Sequence, residues 1–339
     1  MIAGRNGRQA GVATVLGVAV AVVALLIVAT LPSSGPTHLR VLSLTAAARD
    51  PSCAVGSEPT WPAYNPVNHD IYVPNFNSGN ISVISGSCKL VATIKLPAGA
   101  EPEQAVFDPR FNYIDVTDYF LSQVYEISGT TIVTTFGGFV NPVGIAYDPA
   151  CFLAVGVAGC VVVANLGGDT VRTLSGVSYT VGPDPDQIAY DPFWDTLLVT
   201  TPSTDTVSVL NAATFSLVAN VTVGSAPEGV AFDPSDSEDY VANAGSNNVT
   251  VLGGLAGPGG IDGTISGFDV PTGVAWDQST LHIYVANHGS GKVFLLSGLS
   301  IVKKESTAST SGATGLAYDD ATDKIYAAGN ANDLVYELS

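Results

Sequence analysis

Glu103, Asp186 and Glu228 each stand directly after a proline, in Pro102-Glu103, Pro185-Asp186 and Pro227-Glu228. Three carboxylates at equivalent points of a repeated segment can converge, and an oxygen-rich ring can hold a hard cation such as Ca²⁺ or Mg²⁺. If no cation is held, the crowding is relieved by raised pKa values or by solvent. Glu58, Glu101 and Asp184 precede the matching prolines. Phe76, Tyr119, Phe120 and His288 fall just after the second strand of their segments. Adjacent aromatics beside Glu101 and Glu103 make a ligand patch conceivable. The candidate binding set is therefore Glu101, Glu103, Asp186, Glu228, His288, Phe76, Tyr119 and Phe120. Glu103, Asp186 and Glu228 are the metal ligands if there is a metal, and no organic cofactor is expected.

Other chemistry is not spelled out. The four histidines, His38, His69, His282 and His288, form no zinc-type pair at helical or strand spacing. There is no Gly-x-Ser-x-Gly elbow. The run Gly254 to Gly260 is glycine-rich, but no P-loop Lys-Ser/Thr follows it, so it reads as a turn. No catalytic residues are assigned, and a binding role is expected before an enzymatic one. The net charge of −18 excludes nucleic acid as a partner, because that surface needs clustered Lys and Arg.

The elements that position these residues are written as a repeat. Pro-x-Gly-Val-Ala-Phe-Asp-Pro, a variable gap, Tyr-Val-Ala-Asn, a short turn and an alternating apolar strand recur from Pro59, Pro102, Pro142, Pro185, Pro227, Pro271 and Ala313. The spacings are 43, 40, 43, 42, 44 and 42 residues. A period in the forties with several short strands per unit signals β-propeller blades. Within a unit, Val230 to Phe232 reads as inner strand A, Tyr240 to Ala242 as B and Val249 to Leu252 as C, while Leu217 to Val223 shows a D strand. Asp108, Asp148, Asp191 and Asp233 turn the chain between A and B, since Asp bonds its own backbone and the following Pro fixes φ. About seven extra residues enlarge that loop in unit 3, between Cys151 and Cys160. The last unit ends after strand C, and residues 38–44 are expected to close the ring as its fourth strand. The expected fold is all-β: a seven-bladed propeller over 38–339, closed by an N-terminal strand and preceded by one transmembrane helix within 1–37.

Tyr72-Val73-Pro74-Asn75, Tyr240-Val241-Ala242-Asn243 and Tyr284-Val285-Ala286-Asn287 give the chain a resemblance to the YVTN-type β-propeller repeat. That family is found in archaeal surface-layer-related and bacterial exported proteins. The resemblance covers roughly 59–339, is closest in units 1, 5 and 6, and implies fold rather than activity. Seven-bladed scaffolds of this kind also carry lactonases and metal- or quinone-dependent enzymes.

Arg5 and Arg8 precede an uncharged stretch of 21 residues, 11–31. That is longer than a signal-peptide core and long enough to span a bilayer. The basic flank puts the N-terminus inside and the propeller outside; a cleaved, secreted form is the alternative. If 38–44 closes the ring, only about six residues separate it from the membrane, which turns the lower face (A–B loops) inward and the upper face (D–A and B–C loops) outward. Export also fits four cysteines and the sequons at Asn80, Asn220 and Asn248. Cys151 and Cys160 bracket the unit 3 insertion and are expected to pair. Elimination then pairs Cys53 with Cys88, against the topology. Cys53 is read on the upper D–A connection and Cys88 at a lower C–D turn, so only a strap over 46–57 joins them. The expectation is a surface-displayed binding or structural module whose partners are the membrane, other surface proteins or glycans. The alternative is an exported lactonase-like or metal-dependent hydrolase with a carboxylate-lined funnel.

Overall fold

The computed structural model describes residues 52–151, 159–253, 257–306 and 312–338. They form seven antiparallel four-stranded sheets, each with strand A innermost and strand D outermost. Blade 1 runs Ala63–Asn65, Asp70–Asn75, Asn80–Ser85, Leu90–Lys95, and blade 2 Pro102–Asp108, Tyr113–Asp118, Gln123–Ser128, Thr131–Phe136. Blade 3 runs Pro142–Asp148, Cys160–Asn165, Thr170–Thr173, Ser178–Thr180, and blade 4 Ile188–Asp191, Thr196–Thr201, Thr206–Asn211, Leu217–Thr222. Blade 5 runs Pro227–Asp233, Glu238–Asn243, Asn248–Gly253, Ile261–Ser266, and blade 6 Pro271–Asp277, His282–Asn287, Lys292–Ser297, Ser300–Ser306. Blade 7 has Ala313–Asp319, Lys324–Gly329 and Leu334–Leu338, completed by Ser52–Ala54.

Burial explains the composition of each strand. B and C strands are covered on both faces by the neighbouring blades, so Ile71 to Val73, Tyr240 to Ala242 and Ile283 to Ala286 are buried without a break. The outer D strands are the least covered and leave the adjacent pairs Leu90, Val91 and Leu217, Val218 about half exposed. Blades are tied across their seams by the strand B tyrosines: the Tyr72 hydroxyl donates to the Gly129 carbonyl of blade 2, and Tyr326 of blade 7 to Gly86 of blade 1. The A–B turns are Asx turns as expected. Asp148 Oδ1 accepts from the amides of Ala150 and Cys151, and Asp191, Asp233, Asp277 and Asp319 repeat this at their own turns. Residues 254–256 of the blade 5 C–D connection and 152–158 of the blade 3 insertion lie outside the described residues.

The ring closes with an N-terminal strand, but not the expected one. Ser52, Cys53 and Ala54 pair with Tyr336, Val335 and Leu334, and Val55 N–H donates to the Asp333 carbonyl. In the other blades strand D ends five to seven residues before the next opening position, as in Lys95 to Pro102 and Thr222 to Pro227. Counting back from Pro59 by that interval reaches Ala54. Residues 38–44 are too far upstream and lie outside the described residues. About 20 residues, 32–51, therefore separate the apolar stretch from the closing strand, with a reach of up to roughly 70 Å. The expected turning of the lower face toward a membrane rested on six intervening residues and loses that support. Among the described residues no helix is long and apolar enough to cross a membrane.

Both disulfides are present, Cys151–Cys160 and Cys53–Cys88, with Cα separations of 5.7 and 5.1 Å. The topological objection to the second pair falls because Cys53 sits in the closing strand itself. There its buried side chain packs with Ile71, Val73, Ile84, Tyr326 and Val335, against which Cys88 also packs. The bond thus joins blade 7 to blade 1 across the seam of the ring. Two disulfides fit an oxidising, extracytoplasmic environment.

Candidate functional site

The upper mouth of the channel is built by one device repeated around the ring. Between strand D and strand A, the residue before the opening position adopts left-handed backbone in most blades: Glu58, Asn141, Asp184, Ala226 and Val270 have φ between 48 and 57°. This costly conformation is held from both sides. Amides at these positions donate to a side chain of the preceding blade's B–C turn, Glu58 to Asp333, Asp184 to Asp169, Ala226 to Asp205 and Val270 to Asn247. Their carbonyls accept from the residue that follows strand B of their own blade, Phe76 to Glu58, Ala244 to Ala226 and His288 to Val270. Glu101 departs from this pattern: its amide donates to Asp118 of its own blade, and its carbonyl accepts from the amide of Tyr119.

Strand A then enters with a bulge between the opening residue and its third successor in blades 2, 3, 5, 6 and 7. The bulge frees the intervening residues from the ladder and re-aims their side chains. The next position must be glycine wherever the inner strands touch most closely. A Cβ at Gly229 would overlap the Thr272 carbonyl of blade 6, and one at Gly144 the Asp186 carbonyl, to which Gly144 N–H donates at 2.9 Å.

The position before that glycine makes the inner ring: Thr60, Glu103, Val143, Asp186, Glu228, Thr272 and Thr314. Thr60, Thr272 and Thr314 turn their hydroxyls onto backbone carbonyls of their own and neighbouring blades. Glu103, Asp186 and Glu228 are half-buried: protein surrounds them, but each keeps part of its surface open to the channel. Burial pushes the Glu103 carboxyl up to about 8, helped by the charges of Asp186, Glu58, Glu101 and Glu228. Burial raises Asp186 to about 6. Burial and the charge of Asp186 raise Glu228 to about 7. The three carboxylates therefore act on one another across the channel.

A cavity of about 540 Å³ opens at Glu103 and Asp186, lined by Phe76, Glu103, Tyr119, Val143, Leu166, Asp184, Asp186, Pro202 and Ser203. Phe76, Tyr119, Leu166 and Pro202 are the residues after strand B in blades 1 to 4, so they form an apolar arc on one side of the mouth. The same position is Ala244, His288 and Asn330 in blades 5 to 7. Of the sequence candidates, Phe76, Tyr119, Glu103 and Asp186 meet in this cavity. Glu228 acts on Glu103 from blade 5. Glu101 lines an adjoining groove of about 470 Å³ that shares Phe76. Phe120 is 62% exposed and stands outside the cavity lining, and so does His288. Leu166, Pro202 and Ser203 were not singled out in the sequence; their signal is their place after strand B in blades 3 and 4.

The carboxylates encircle the channel rather than closing on a point. Among the described residues the one group of three potential ligands within 4.8 Å is Asp148, Cys151 and Cys160. The disulfide removes both thiolates from that group. Of the sequons, Asn220 is exposed on strand D of blade 4. Asn80 and Asn248 are half-buried, and their carboxamide oxygens accept from Asn75 and Asn243 across the B–C turn.

No family model matches the chain, and no curated protein matches it. Solved structures that share the fold include a streptogramin B lyase, at 13% identity and a TM-score of 0.71 over 84% of this chain and 94% of that one. The virginiamycin B lyase of Staphylococcus aureus matches at 13% identity and 0.71, over 85% of this chain and 97% of that one. Kuenenia stuttgartiensis hydrazine synthase matches at 16% and 0.69, over 87% and 98%. At these identities the similarity shows the propeller fold alone.

Proposed function

We propose that the chain is an extracytoplasmic binding module that takes its ligand at the upper mouth of the propeller. The observation that carries this reading is the mouth itself: a cavity of about 540 Å³ that brings the apolar arc of blades 1 to 4 together with the carboxylates of Glu103, Asp184 and Asp186. Cavities of that size, largely apolar with a few aimed polar groups, are what small-molecule sites look like. Residues 11–31 and their basic flank support attachment to the membrane with the propeller outside. The YVTN-like repeats and the two disulfides fit a surface protein.

A second reading, an exported hydrolase of the lactonase type, draws on one observation. Carboxyl groups near neutrality, Glu103 at about 8 and Glu228 at about 7, are what general acid–base work requires. Lyases among the solved neighbours fit it too, at the level of fold. Native mass spectrometry of the protein from its own culture, beside Phe76→Ala and Tyr119→Ala, separates the two. The binding reading expects a small-molecule adduct on the wild type that both variants lose. Turnover of lactones, abolished by Glu103→Gln and with no retained adduct, would put the hydrolase first.

A further inference from the structure

We infer that the ligand of the upper mouth is an organic cation, an ammonium or guanidinium group carried on an apolar body, with the charge over Glu103, Asp186 and Glu228 and the body against Phe76 and Tyr119. This rests on the proposed binding role and specifies its ligand.

Three features of the mouth lead there. The first is a crowding of negative charge. The charges that raise the Glu103 carboxyl are those of acids, Asp186, Glu58, Glu101 and Glu228, and the cation near them is Lys95, which lines the adjoining groove beside Glu101. Asp184 lines the same cavity as Glu103. The two prominent ion pairs, Arg110–Asp108 and Lys324–Glu337, lie at A–B and B–C strand pairings away from this lining. The natural complement of such a site is positive.

The second is the spread of the carboxylates. A bare Ca²⁺ needs six to eight oxygens at about 2.3–2.6 Å. Glu103, Asp186 and Glu228 come from blades 2, 4 and 5 and do not form a close ligand group among the described residues. Four of the nine lining residues, Phe76, Val143, Leu166 and Pro202, offer no oxygen ligand from their side chains. An alkylated ammonium has a radius that suits a wide ring and prefers this mixture. Its charge is diffuse, its surface is apolar, and aromatic faces attract it.

The third is asymmetry. The apolar arc runs over blades 1 to 4, and Ala244, His288 and Asn330 occupy the same position opposite. A ligand with one charged and one apolar end would bind in a single orientation, with its apolar end toward blades 1 and 2.

Isothermal titration of the full chain with choline, with benzyltrimethylammonium and with the neutral tert-butyl isostere of choline tests the inference. Both cations are expected to bind, the benzyl compound more tightly, and the neutral isostere at least about tenfold more weakly. Glu228→Gln is expected to weaken both cations about tenfold, and Tyr119→Ala to weaken the benzyl probe more than choline. Both variants should keep the wild-type melting profile at acid pH, which separates loss of binding from loss of fold. Binding should also fall as pH drops from 8 to 5: Glu103, Asp184 and Asp186 line the cavity, Glu58, Glu101 and Glu228 act on Glu103 from around it, Lys95 beside Glu101 stays charged throughout, and the raised Glu103, Asp186 and Glu228 take up protons in this range. Equal affinity for the isostere, absence of binding by either cation, or indifference to Glu228→Gln would overturn the inference. If the cations fail while Phe76→Ala and Tyr119→Ala still strip the native adduct, the ligand class falls and the binding role stands.

Discussion

Replacing Cys88 with serine removes the covalent staple across the seam of the ring. The closing strand is only three residues long, Ser52–Ala54, and its pairing partner Val335 lies at the far end of the chain. The sequence separation of Cys53 and Cys88 is 35 residues, for which the loop-closure entropy is about 4 kcal/mol at 25 °C. For a domain of this size that corresponds to a fall in melting temperature of roughly 7 °C. Cys88 is the better target because it is half-exposed, while Cys53 is buried and its truncation would add a cavity cost. Cys160→Ser provides the internal comparison. Its pair closes a separation of 9 residues, worth about 2.5 kcal/mol, and it spans no seam. Calorimetry gives the two melting shifts, and amide exchange read by mass spectrometry gives the locality. Cys88→Ser should expose the amides of 52–55 and of strand C in blade 7, while Cys160→Ser should leave them protected. A Cys88→Ser protein that melts within a degree of the wild type, with 52–55 still protected, would refute the idea that the seam depends on this bond.

Truncation should separate the true closing strand from the expected one: deleting residues 1–44 should leave the melting curve of the propeller unchanged, whereas deleting 1–55 should open blade 7 and cause aggregation in a heated light-scattering assay. Glu103→Gln should act on stability in a pH-dependent way. The folded-state carboxyl sits at about 8 against 4.5 for the free group, so the stability that goes with protonation is complete below 4.5 and is lost as pH rises through 8. The variant should therefore match the wild type at pH 4 and exceed it at pH 9 by about 2 kcal/mol in urea unfolding, since solvent in the channel weakens the full shift. Gly229→Ala should cost more than about 3 kcal/mol or prevent soluble expression, because its Cβ has no room beside the Thr272 carbonyl. Calcium and magnesium should not raise the melting temperature, because the mouth carboxylates form no close ligand group. The mature protein should keep its N-terminus and fractionate with membranes; a terminus near residue 30–38 by Edman sequencing would show cleavage instead.

The blades were legible because turn chemistry is local. Asp233-Pro234 and its equivalents name the A–B turn, and Pro227 and its equivalents fix the phase of every unit. The convergence of Glu103, Asp186 and Glu228 followed from that phase. The closing strand was not legible from composition. Residues 38–44 alternate like a strand, whereas Ser52–Ala54 is too short to announce itself and is defined only by pairing across the whole length of the chain. That error carried into Cys53, whose position looked incompatible with Cys88 until its strand was known. It also carried into the orientation toward the membrane, which rested on a linker of six residues. At the mouth, Phe76 and Tyr119 stood out by type. Leu166 and Pro202 did not, because an apolar residue in a loop carries no signal until its structural equivalence to an aromatic is seen. Phe120 misled for the opposite reason: adjacency in sequence placed it beside Tyr119, while the fold leaves it exposed and outside the cavity lining that holds Tyr119.

The most direct test of the account is a crystal structure of the chain soaked with benzyltrimethylammonium at pH 8. The account predicts the trimethylammonium group above Glu103 and Asp186 and the benzyl ring against Phe76 and Tyr119. A mouth left without the probe while it occupies another surface, or a probe held with its charge away from these carboxylates, would contradict it.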